Sequence, residues 1–476
     1  MFAWMIDHFL KKASIEKSAT NKTLTAIKKI IFTTLILLFC LAKNSFSNDE
    51  MPLIRDAEIE KFLYNLSKPI FAAANLDAKN IKIYIVNDNS LNAFVLGGQN
   101  VFINIGLIRK YQTPNALIGV IAHETGHIAA GHLARSSEAS NQATAAMLLS
   151  YLLGAGAIAA GAPDAGAALI IGGSNTAERL FVKFTRNQEE AADNRAIEYL
   201  AKISYPADGL VNLLEFFEEE MVGRKGQIDE YLLSHPVNRK RIDLIKSRTQ
   251  NTNFSDKKIN KALQSQMNIV LAKLEGFVEN SDFLLKKYQN RHDQTANYIK
   301  SIAFFKAGKI AESLTLLDKI IENKAEKTEL GFLFELKGQI LFESGNIENS
   351  IIAYNQAIKL LSNSDSTQAK IALALAILTL KKNDQTLIKF AIEKLEEAKI
   401  FEDENPFLFK QLANAYDKFG EEGKSLLALA EFNFLINQKE KCQKYAKAAK
   451  EKLNKSQSRD LLRADDLLEL TKDKKF

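Results

Sequence analysis

Cysteine and proline are both scarce in this chain of 476 residues, which contains two cysteines and seven prolines. Two cysteines are too few for a disulfide-rich secreted scaffold. So few prolines argue against long proline-rich or disordered segments. Hydrophobic residues make up 46% of the sequence and charged residues 25%, which is typical of folded globular proteins. The chain is longer than one compact core usually is, so we expect at least two domains.

No apolar run at the N-terminus is long enough for an ordinary membrane span. The uncharged run from Ile30 to Ala42 is about 13 residues long, whereas a spanning helix needs roughly 20. Two lysines precede it directly, and Ser45-Phe46-Ser47 follows it as a small-x-small cleavage site. We therefore predict an export signal at residues 1–47, with an uncleaved anchor as the alternative. Cys442 would then be the single thiol of the exported chain.

A strong net charge is also absent outside the N-terminus. Residues 1–47 contain seven lysines against two acidic residues, so the rest of the chain is almost neutral. This balance does not fit a nucleic-acid-binding protein, which needs an excess of basic residues. We therefore expect no nucleic-acid partner.

The stretch at 143–173 has almost no charge. It consists largely of alanine, leucine and glycine, and its one charged residue is Asp164, beside Pro163. It can form a buried helical hairpin that covers the active site, or it can contact the membrane surface. We favour the hairpin over a true span, because glycine and alanine are weakly apolar and Pro163 interrupts the run.

The rest of the N-terminal half alternates between helical and strand patterns. Thr113 and Pro114 predict a helix start, with proline at the first helical position. A turn at Gly97-Gly98 separates two strand patterns, and the polar stretch at 250–257 is the predicted domain boundary. The patterns predict helices at 53–74, 114–135, 178–200 and 206–222, and strands at 81–85 and 101–105.

The C-terminal half contains an internal repeat. Turn residues recur at Gly308, Gly345, Asn383 and Gly420, with spacings of 37, 38 and 37. The spacing Gly338-x6-Gly345-x8-Tyr354-x2-Ala357 is that of a tetratricopeptide unit, in which small side chains let two antiparallel helices approach closely. The half resembles a tetratricopeptide solenoid of about four units, whose concave face usually binds extended peptides. A plain helical bundle is the alternative.

The motif His123-Glu124-Thr125-Gly126-His127 carries the chemistry. Two histidines four residues apart project from one face of a helix, so both imidazoles can reach one zinc ion. The residues at 118–122 and 128–131 are uncharged, which places the motif on a buried helix. We predict His123 and His127 as metal ligands, and Glu124 as the base that takes a proton from the attacking water.

A catalytic zinc needs three protein ligands and an open fourth position, so a third ligand must come from another part of the chain. The segment at 185–193 offers one on a second helix, and here the sequence resembles the gluzincin metalloprotease family. Members place the third ligand in an Arg-x-x-Glu-x-x-x-Asp segment, which Arg186, Glu189 and Asp193 match. The resemblance implies that Glu189 is the ligand, that Asp193 orients a ligand histidine and that Arg186 supports the site. Glu190 is predicted to point away.

Within that family the chain resembles a periplasmic group that joins the catalytic domain to C-terminal tetratricopeptide repeats. Residues 54–60 and Asn92-Ala93-Phe94 before Gly97-Gly98 extend the resemblance. It implies a periplasmic location, and unfolded or misfolded envelope proteins, notably outer-membrane β-barrel precursors, as clients. It also implies the outer-membrane β-barrel assembly machinery as a partner of the repeat domain, and a strand at 101–105 that pairs with the substrate backbone.

His235 stands before Pro236 and resembles the His-Pro element of the same group. Two roles stay open for it. It can occupy the fourth coordination position and hold the enzyme latent, or it can stabilise the oxyanion once substrate displaces it. A histidine that caps a helix start beside Pro236 is the structural alternative.

The sequence thus predicts a mainly α protein: an α+β zincin-type metalloprotease domain with a small sheet, followed by an α-solenoid of tetratricopeptide repeats. The predicted limits are a signal at 1–47, the protease domain at 48–250, a linker at 251–264 and the repeat domain at 265–476. We expect a zinc metalloendopeptidase with one Zn²⁺ per chain and an associated chaperone role. The alternatives are a chaperone or assembly factor with a latent zinc site, and a structural zinc with four closed protein ligands.

Overall fold

The computed structural model describes residues 53–96, 99–132, 185–223, 235–249, 260–323, 326–380, 384–454 and 456–472. The predicted signal at 1–47 and the alanine-rich stretch at 143–173 lie outside these residues. The chain from Leu53 onward forms one compact unit. Within the described ranges, no helix is both long enough and apolar enough to cross a membrane.

A four-stranded sheet lies in the N-terminal half. Its strands are β1 (Leu53–Ile54), β2 (Ile83–Val86), β3 (Ala93–Leu96) and β4 (Asn100–Asn104), in the order β1-β2-β4-β3. β4 pairs in parallel with β2 and antiparallel with β3. The prediction that residues 101–105 pair with substrate is therefore corrected, because β4 already has a strand on each side. Within the described part of the chain, β3 is the edge strand next to it.

The two faces of the sheet differ in character. Ile85 and Ile103 are fully buried in the core on one face. On the other face, Phe102 stands opposite both Tyr84 and Phe94 in the strand register. The rings are stacked, with centroids 5.0 Å apart for Tyr84 and Phe102 and 5.1 Å apart for Phe94 and Phe102. This aromatic row ends at the edge strand.

Among the residues described in the N-terminal half, six α-helices pack around the sheet and bury its core face. Asp56 caps the first of them, because its carboxylate accepts a hydrogen bond from the Ile59 amide. The helix predicted at 114–135 starts at Pro114 as expected but ends at Ala130, since Gly131 adopts a left-handed conformation with φ of 64°. The helices are α1 (Ala57–Ala73), α2 (Ile105–Lys110), α3 (Pro114–Ala130), α4 (residues 185–202), α5 (Asp208–Gly223) and α6 (Arg239–Thr249).

The C-terminal half consists of helices joined by short turns. Gly308, Gly345 and Gly420 all have positive φ at turns between paired helices, as their regular spacing predicts. Asn383 lies outside the described residues. The helices are α7 (Lys261–Val278), α8 (Ser281–Lys287), α9 (Gln294–Lys306), α10 (Ile310–Glu322), α11 (Lys327–Glu343), α12 (Ile347–Leu360), α13 (Thr367–Thr379), α14 (Gln385–Lys399), α15 (Pro406–Phe419), α16 (Glu422–Leu435), α17 (Lys439–Lys452) and α18 (Ser458–Leu470).

Close helix packing explains the small residues of the repeat. A Cβ atom on Gly338 of α11 would lie 2.6 Å from the ring of Tyr354 of α12, so glycine lets this pair approach. The predicted mainly α fold, with a small sheet followed by a helical repeat region, is confirmed. That the units are tetratricopeptide repeats stays a prediction, as do the domain limits. Residues 261–264 of the predicted linker already belong to α7.

Charged groups join the start of α1 to the C-terminal helices. The ammonium of Lys273 on α7 is buried and lies 2.8 Å from the Asp56 carboxylate and 3.1 Å from that of Glu58. The Tyr298 hydroxyl on α9 donates a hydrogen bond of 3.0 Å to Glu58. Exposed or partly exposed ion pairs also connect the N-terminal half with the C-terminal half. They are Arg55 with Glu402, Lys61 with Asp365, Lys82 with Glu404 and Arg109 with Glu279.

Candidate metal centre

Helix α3 holds the histidine motif in the interior. His123 has no exposed surface and Glu124 is 1% exposed. Gly126, inside the motif, makes room for the neighbouring helix α4, because a Cβ atom there would lie 2.7 Å from the carbonyl oxygen of Ala192. The small residue at this position therefore brings Glu189 and Asp193, which flank Ala192 on α4, up to the histidines.

Three predicted ligands meet at one point. Nε2 of His123 lies 3.1 Å from Nε2 of His127. The Glu189 carboxylate places Oε2 3.3 Å from Nε2 of His123 and Oε1 3.3 Å from Nε2 of His127. Two imidazole nitrogens and a carboxylate oxygen are the donors that zinc takes in catalytic sites.

His235 adds a fourth donor to this cluster. Its Nδ1 lies 3.4 Å from Nε2 of His123 and 3.2 Å from Oε2 of Glu189. One potential ligand atom from each of His123, His127, Glu189 and His235 lies within 4.8 Å of all the others. His235 is 5% exposed, so the closed arrangement is buried. The structure places His235 at the metal position and not at a helix cap, since α6 begins later, at Arg239.

The predicted base, Glu124, stands beside the ligand cluster. Its Oε1 is buried and has no hydrogen-bond partner among the described residues. Nε2 of His235 lies 3.5 Å from this oxygen. Burial raises the pKa of Glu124 above its usual range. A buried carboxylate with one oxygen free of hydrogen bonds and with a raised pKa is suited to accept a proton during a reaction.

The far side of His123 is held by Asp193. Oδ1 of Asp193 lies 2.9 Å from Nδ1 of His123, within hydrogen-bonding distance. This contact fixes the ring so that Nε2 faces Glu189 and His127. Nδ1 of His127 lies 3.0 Å from Nδ1 of His132, which extends the same kind of support to the second histidine.

The carboxylates of Glu189 and Asp193 stay ionised in spite of their burial. Burial raises the pKa of Glu189, but the surrounding histidines, His235 foremost, bring it well below its usual range. Burial likewise raises the pKa of Asp193, but the Arg241 guanidinium and His123 together bring it below its usual range. Burial lowers the pKa of His123, yet Asp193 and Glu189 raise it to about 10 overall, whereas burial lowers that of His127 to about 3. A divalent cation would displace the proton of His123 and balance the carboxylates.

Arg186, which the resemblance placed beside the metal, does not reach it. Its side chain is exposed on α4. Glu190 also faces outward and pairs with Lys240 at 2.8 Å, as predicted from its position on the helix. The guanidinium at the site belongs instead to Arg241 on α6. Its Nε and Nη2 donate to Asp193 at 2.7 and 2.9 Å.

Arg241 was not predicted as a site residue, and it lies in the basic run at 239–241. The helical period around Arg241 nevertheless indicates that its side chain is buried. Arg241 lies four residues before Ile245 and directly before Ile242, and both isoleucines are buried. An arginine on the apolar face of an otherwise charged helix is placed in the interior by the helical period.

Comparison with known proteins agrees with this geometry. Residues 54–249 match the sequence profile of peptidase family M48. A beta-barrel assembly-enhancing protease of Yersinia pestis is 25% identical over 375 residues, which cover 77% of this chain and 66% of the relative. The protein of the same name from Escherichia coli is 27% identical over 191 residues, covering 40% and 39%. Metalloprotease LoiP of Escherichia coli is 26% identical over 200 residues, covering 40% and 71%.

The match includes every residue of the ligand cluster, Glu124, Asp193 and Arg241. The matches to the Yersinia pestis and Escherichia coli proteins confirm the resemblance to the beta-barrel assembly-enhancing proteases. The chain spans less than two thirds of the Yersinia pestis and Escherichia coli proteins of that name. The match to peptidase family M48 nevertheless extends over residues 54–249, the part of the chain that builds the site.

Proposed function

We propose that this protein is a zinc-dependent endopeptidase of the cell envelope that hydrolyses misfolded or stalled proteins. The observation that carries the proposal is the buried carboxylate of Glu124, whose Oε1 has no hydrogen-bond partner among the described residues, beside three convergent ligands, His123, His127 and Glu189. A purely structural metal site would need no such base. One zinc ion per chain fits the two nitrogen donors and the carboxylate.

Each residue of the site has a distinct role in the proposed reaction. When bound, zinc would supply Lewis acidity at the scissile carbonyl and make water a better nucleophile. Glu124 accepts the proton of the attacking water and then delivers it to the leaving amine. Its raised pKa favours the first of these transfers. Asp193 holds the His123 ring in the orientation that directs Nε2 to the metal.

His235 acts as a latch in this proposal. Its Nδ1 lies among the ligand atoms, so the fourth position that a catalytic metal needs is taken by a protein side chain. Binding of a substrate would displace His235 and open the position. The oxyanion role that the sequence also suggested would apply only after this displacement.

Substrate would bind as an extended chain along β3. This strand is the edge of the sheet among the described residues, and its outer backbone groups can form a ladder with another strand. Recognition through backbone hydrogen bonds tolerates many sequences. Unfolded chains with strand-forming segments are therefore the expected substrates.

The relatives named beta-barrel assembly-enhancing protease support proteins that form β-barrels as the clients. Outer-membrane β-barrel precursors and a periplasmic location are what the resemblance noted in the sequence implies. The helical repeat half would bind the unfolded chain and thereby give the protein a chaperone role beside hydrolysis. The β-barrel assembly machinery is the expected partner of that half. The segment at 143–173 would add contact with the membrane surface, and the export signal at 1–47 would direct the chain there.

The test is hydrolysis of an unfolded outer-membrane β-barrel protein by the purified chain. Cleavage should stop when a chelator removes the metal and return when Zn²⁺ is added back, with magnesium as the control ion. The same protein in its folded, detergent-bound form should resist cleavage, because its strands are already paired. Cleavage that persists after chelation, or that Mg²⁺ restores equally well, would refute the proposal.

A further inference from the structure

Arg241 is the largest of the fully buried side chains in the described part of the chain, at 1% exposure. A buried guanidinium is costly unless its charge is balanced and its N–H groups are paired. Neither the ligand set nor the proposed role of Glu124 requires this residue. Its burial beside the metal centre therefore calls for a role of its own.

The contacts of Arg241 join two separate parts of the site. On α4, Nε and Nη2 form a bidentate pair with Asp193, and Nη1 lies 3.0 Å from Oε2 of Glu189. On the loop before α6, Nη1 donates a hydrogen bond of 2.9 Å to the backbone carbonyl of Pro236. Pro236 directly follows His235. One side chain thus binds a metal ligand, the residue that orients another ligand, and the loop that carries the latch.

We propose that Arg241 is a positioning residue that fixes the metal ligands and the His235 loop as one unit. By bonding Oε2 of Glu189 it sets the rotation of that carboxylate, and by bonding Asp193 it sets the ring of His123. Through Pro236 it ties the loop to the same anchor. The inference rests on the proposed function only in taking the cluster as a metal site.

The planar fork of arginine is needed for this arrangement. Arginine presents five N–H donors in a fixed plane and can serve two carboxylates and a carbonyl together. Lysine keeps the charge but is a point donor that cannot reproduce the bidentate pair. Removal of such a supporting group lowers metal affinity by roughly 10- to 100-fold in comparable sites.

The experiment compares Arg241→Lys with Arg239→Lys in the full chain. Arg239 lies on the same helix, has a side chain that is 58% exposed, and pairs with Glu218 and Asp243 at the surface. Zinc affinity is measured by competition with a chromogenic chelator, and coordination geometry by the absorption spectrum of the Co²⁺-loaded protein. Amide hydrogen exchange of residues 235–241 reports on the loop, and circular dichroism reports on folding.

Arg241→Lys should lower zinc affinity by roughly 10- to 100-fold, change the cobalt spectrum and speed exchange in the loop. Arg239→Lys should leave all three unchanged. Unchanged affinity and exchange in a folded Arg241→Lys protein would overturn the proposal. The proposal would also be overturned if both Arg241→Lys and Arg241→Gln lost helical structure, whether or not zinc is present. Arg241 would then be required for folding and not for positioning the ligands. A parent that binds zinc but hydrolyses nothing would refute only the proposed function.

Discussion

Nδ1 of His235 lies 3.4 Å from Nε2 of His123, although 112 residues separate the two histidines. The same nitrogen lies 3.2 Å from Oε2 of Glu189. A histidine in this place and a water molecule or substrate carbonyl at the metal exclude each other. Access to the centre therefore requires movement of the loop that holds His235.

The first prediction concerns this latch. His235→Ala should raise the rate of hydrolysis of an unfolded protein by about tenfold, the effect of removing a closed state favoured by about 1.4 kcal/mol. His292→Ala is the matched control, because His292 is exposed and far along the chain from the site. The measurement is the initial rate of peptide-bond cleavage at fixed zinc. A slower His235→Ala enzyme with unchanged zinc content would favour the oxyanion role instead.

The second prediction concerns the approach of α3 and α4. Gly126→Ala would place a methyl group 2.7 Å from the Ala192 carbonyl oxygen, so the helices must separate. We expect a loss of stability of about 1–3 kcal/mol and weaker zinc binding, because Glu189 moves away from the histidines.

Gly131→Ala provides the control for that change. Its Cβ would meet no atom within 4 Å, but φ is 64°. The strain should cost about 1 kcal/mol without affecting zinc affinity. Thermal unfolding and chelator competition on both variants distinguish the two effects. Equal zinc affinity in Gly126→Ala and the parent would show that helix separation does not set the ligand geometry.

The third prediction concerns the aromatic row that ends at Phe94. A substrate strand added to β3 would place one side chain beside Phe94, and cross-strand aromatic pairs contribute roughly 0.2–1 kcal/mol. Phe94→Ala should therefore raise KM by up to roughly fivefold for a peptide with an aromatic residue at that position, with little change in kcat. A peptide with alanine there should lose much less. An equal loss for both peptides would argue against contact with Phe94.

The fourth prediction concerns Glu335 on α11. Burial raises the pKa of this carboxyl to about 8, helped by Asp56 and Glu58 and opposed by Lys273. Because the folded state holds the proton more tightly than the unfolded chain, the free energy of unfolding should fall as pH rises from about 4.5 to about 8. Glu335→Gln removes this cost, so it should stabilise the protein more at pH 8.5 than at pH 5.

The expected gain at high pH is on the order of 2 kcal/mol. Urea unfolding followed by circular dichroism at both pH values measures it. Glu343→Gln, at an exposed position of the same helix, is the control and should show no such dependence. A gain that is equal at the two pH values would mean that Glu335 is ionised in the folded protein at both.

Local pattern was enough to find the helix and the metal motif. Thr113, Pro114 and the histidine spacing predict the start of α3 and the two nitrogen ligands, because both depend on the helical period alone. Glu189 and Asp193 came from family resemblance, since no local signal ties a second helix to the first. The structure shows that the absence of a side chain at Gly126 lets α4 pack closely against α3.

The sequence patterns did not predict which strands pair or which distant side chains meet. Strand patterns at 81–85 and 101–105 predict strands but not their order, so the edge position of β3 and the central position of β4 were not predictable. Arg241 was missed for a related reason. Its carboxylate partners lie on α4, 48 positions away for Asp193, so the sequence around Arg241 does not identify them.

The central claim is that Glu124 is the base of a zinc peptidase, and the most direct test is Glu124→Gln beside Glu190→Gln. Both variants are loaded with zinc, their metal content is measured, and cleavage of an unfolded β-barrel protein is followed. We predict that Glu124→Gln binds one zinc per chain and loses at least roughly 100-fold in rate, whereas Glu190→Gln cleaves like the parent. A Glu124→Gln protein that holds zinc and still cleaves at the parental rate would contradict the account.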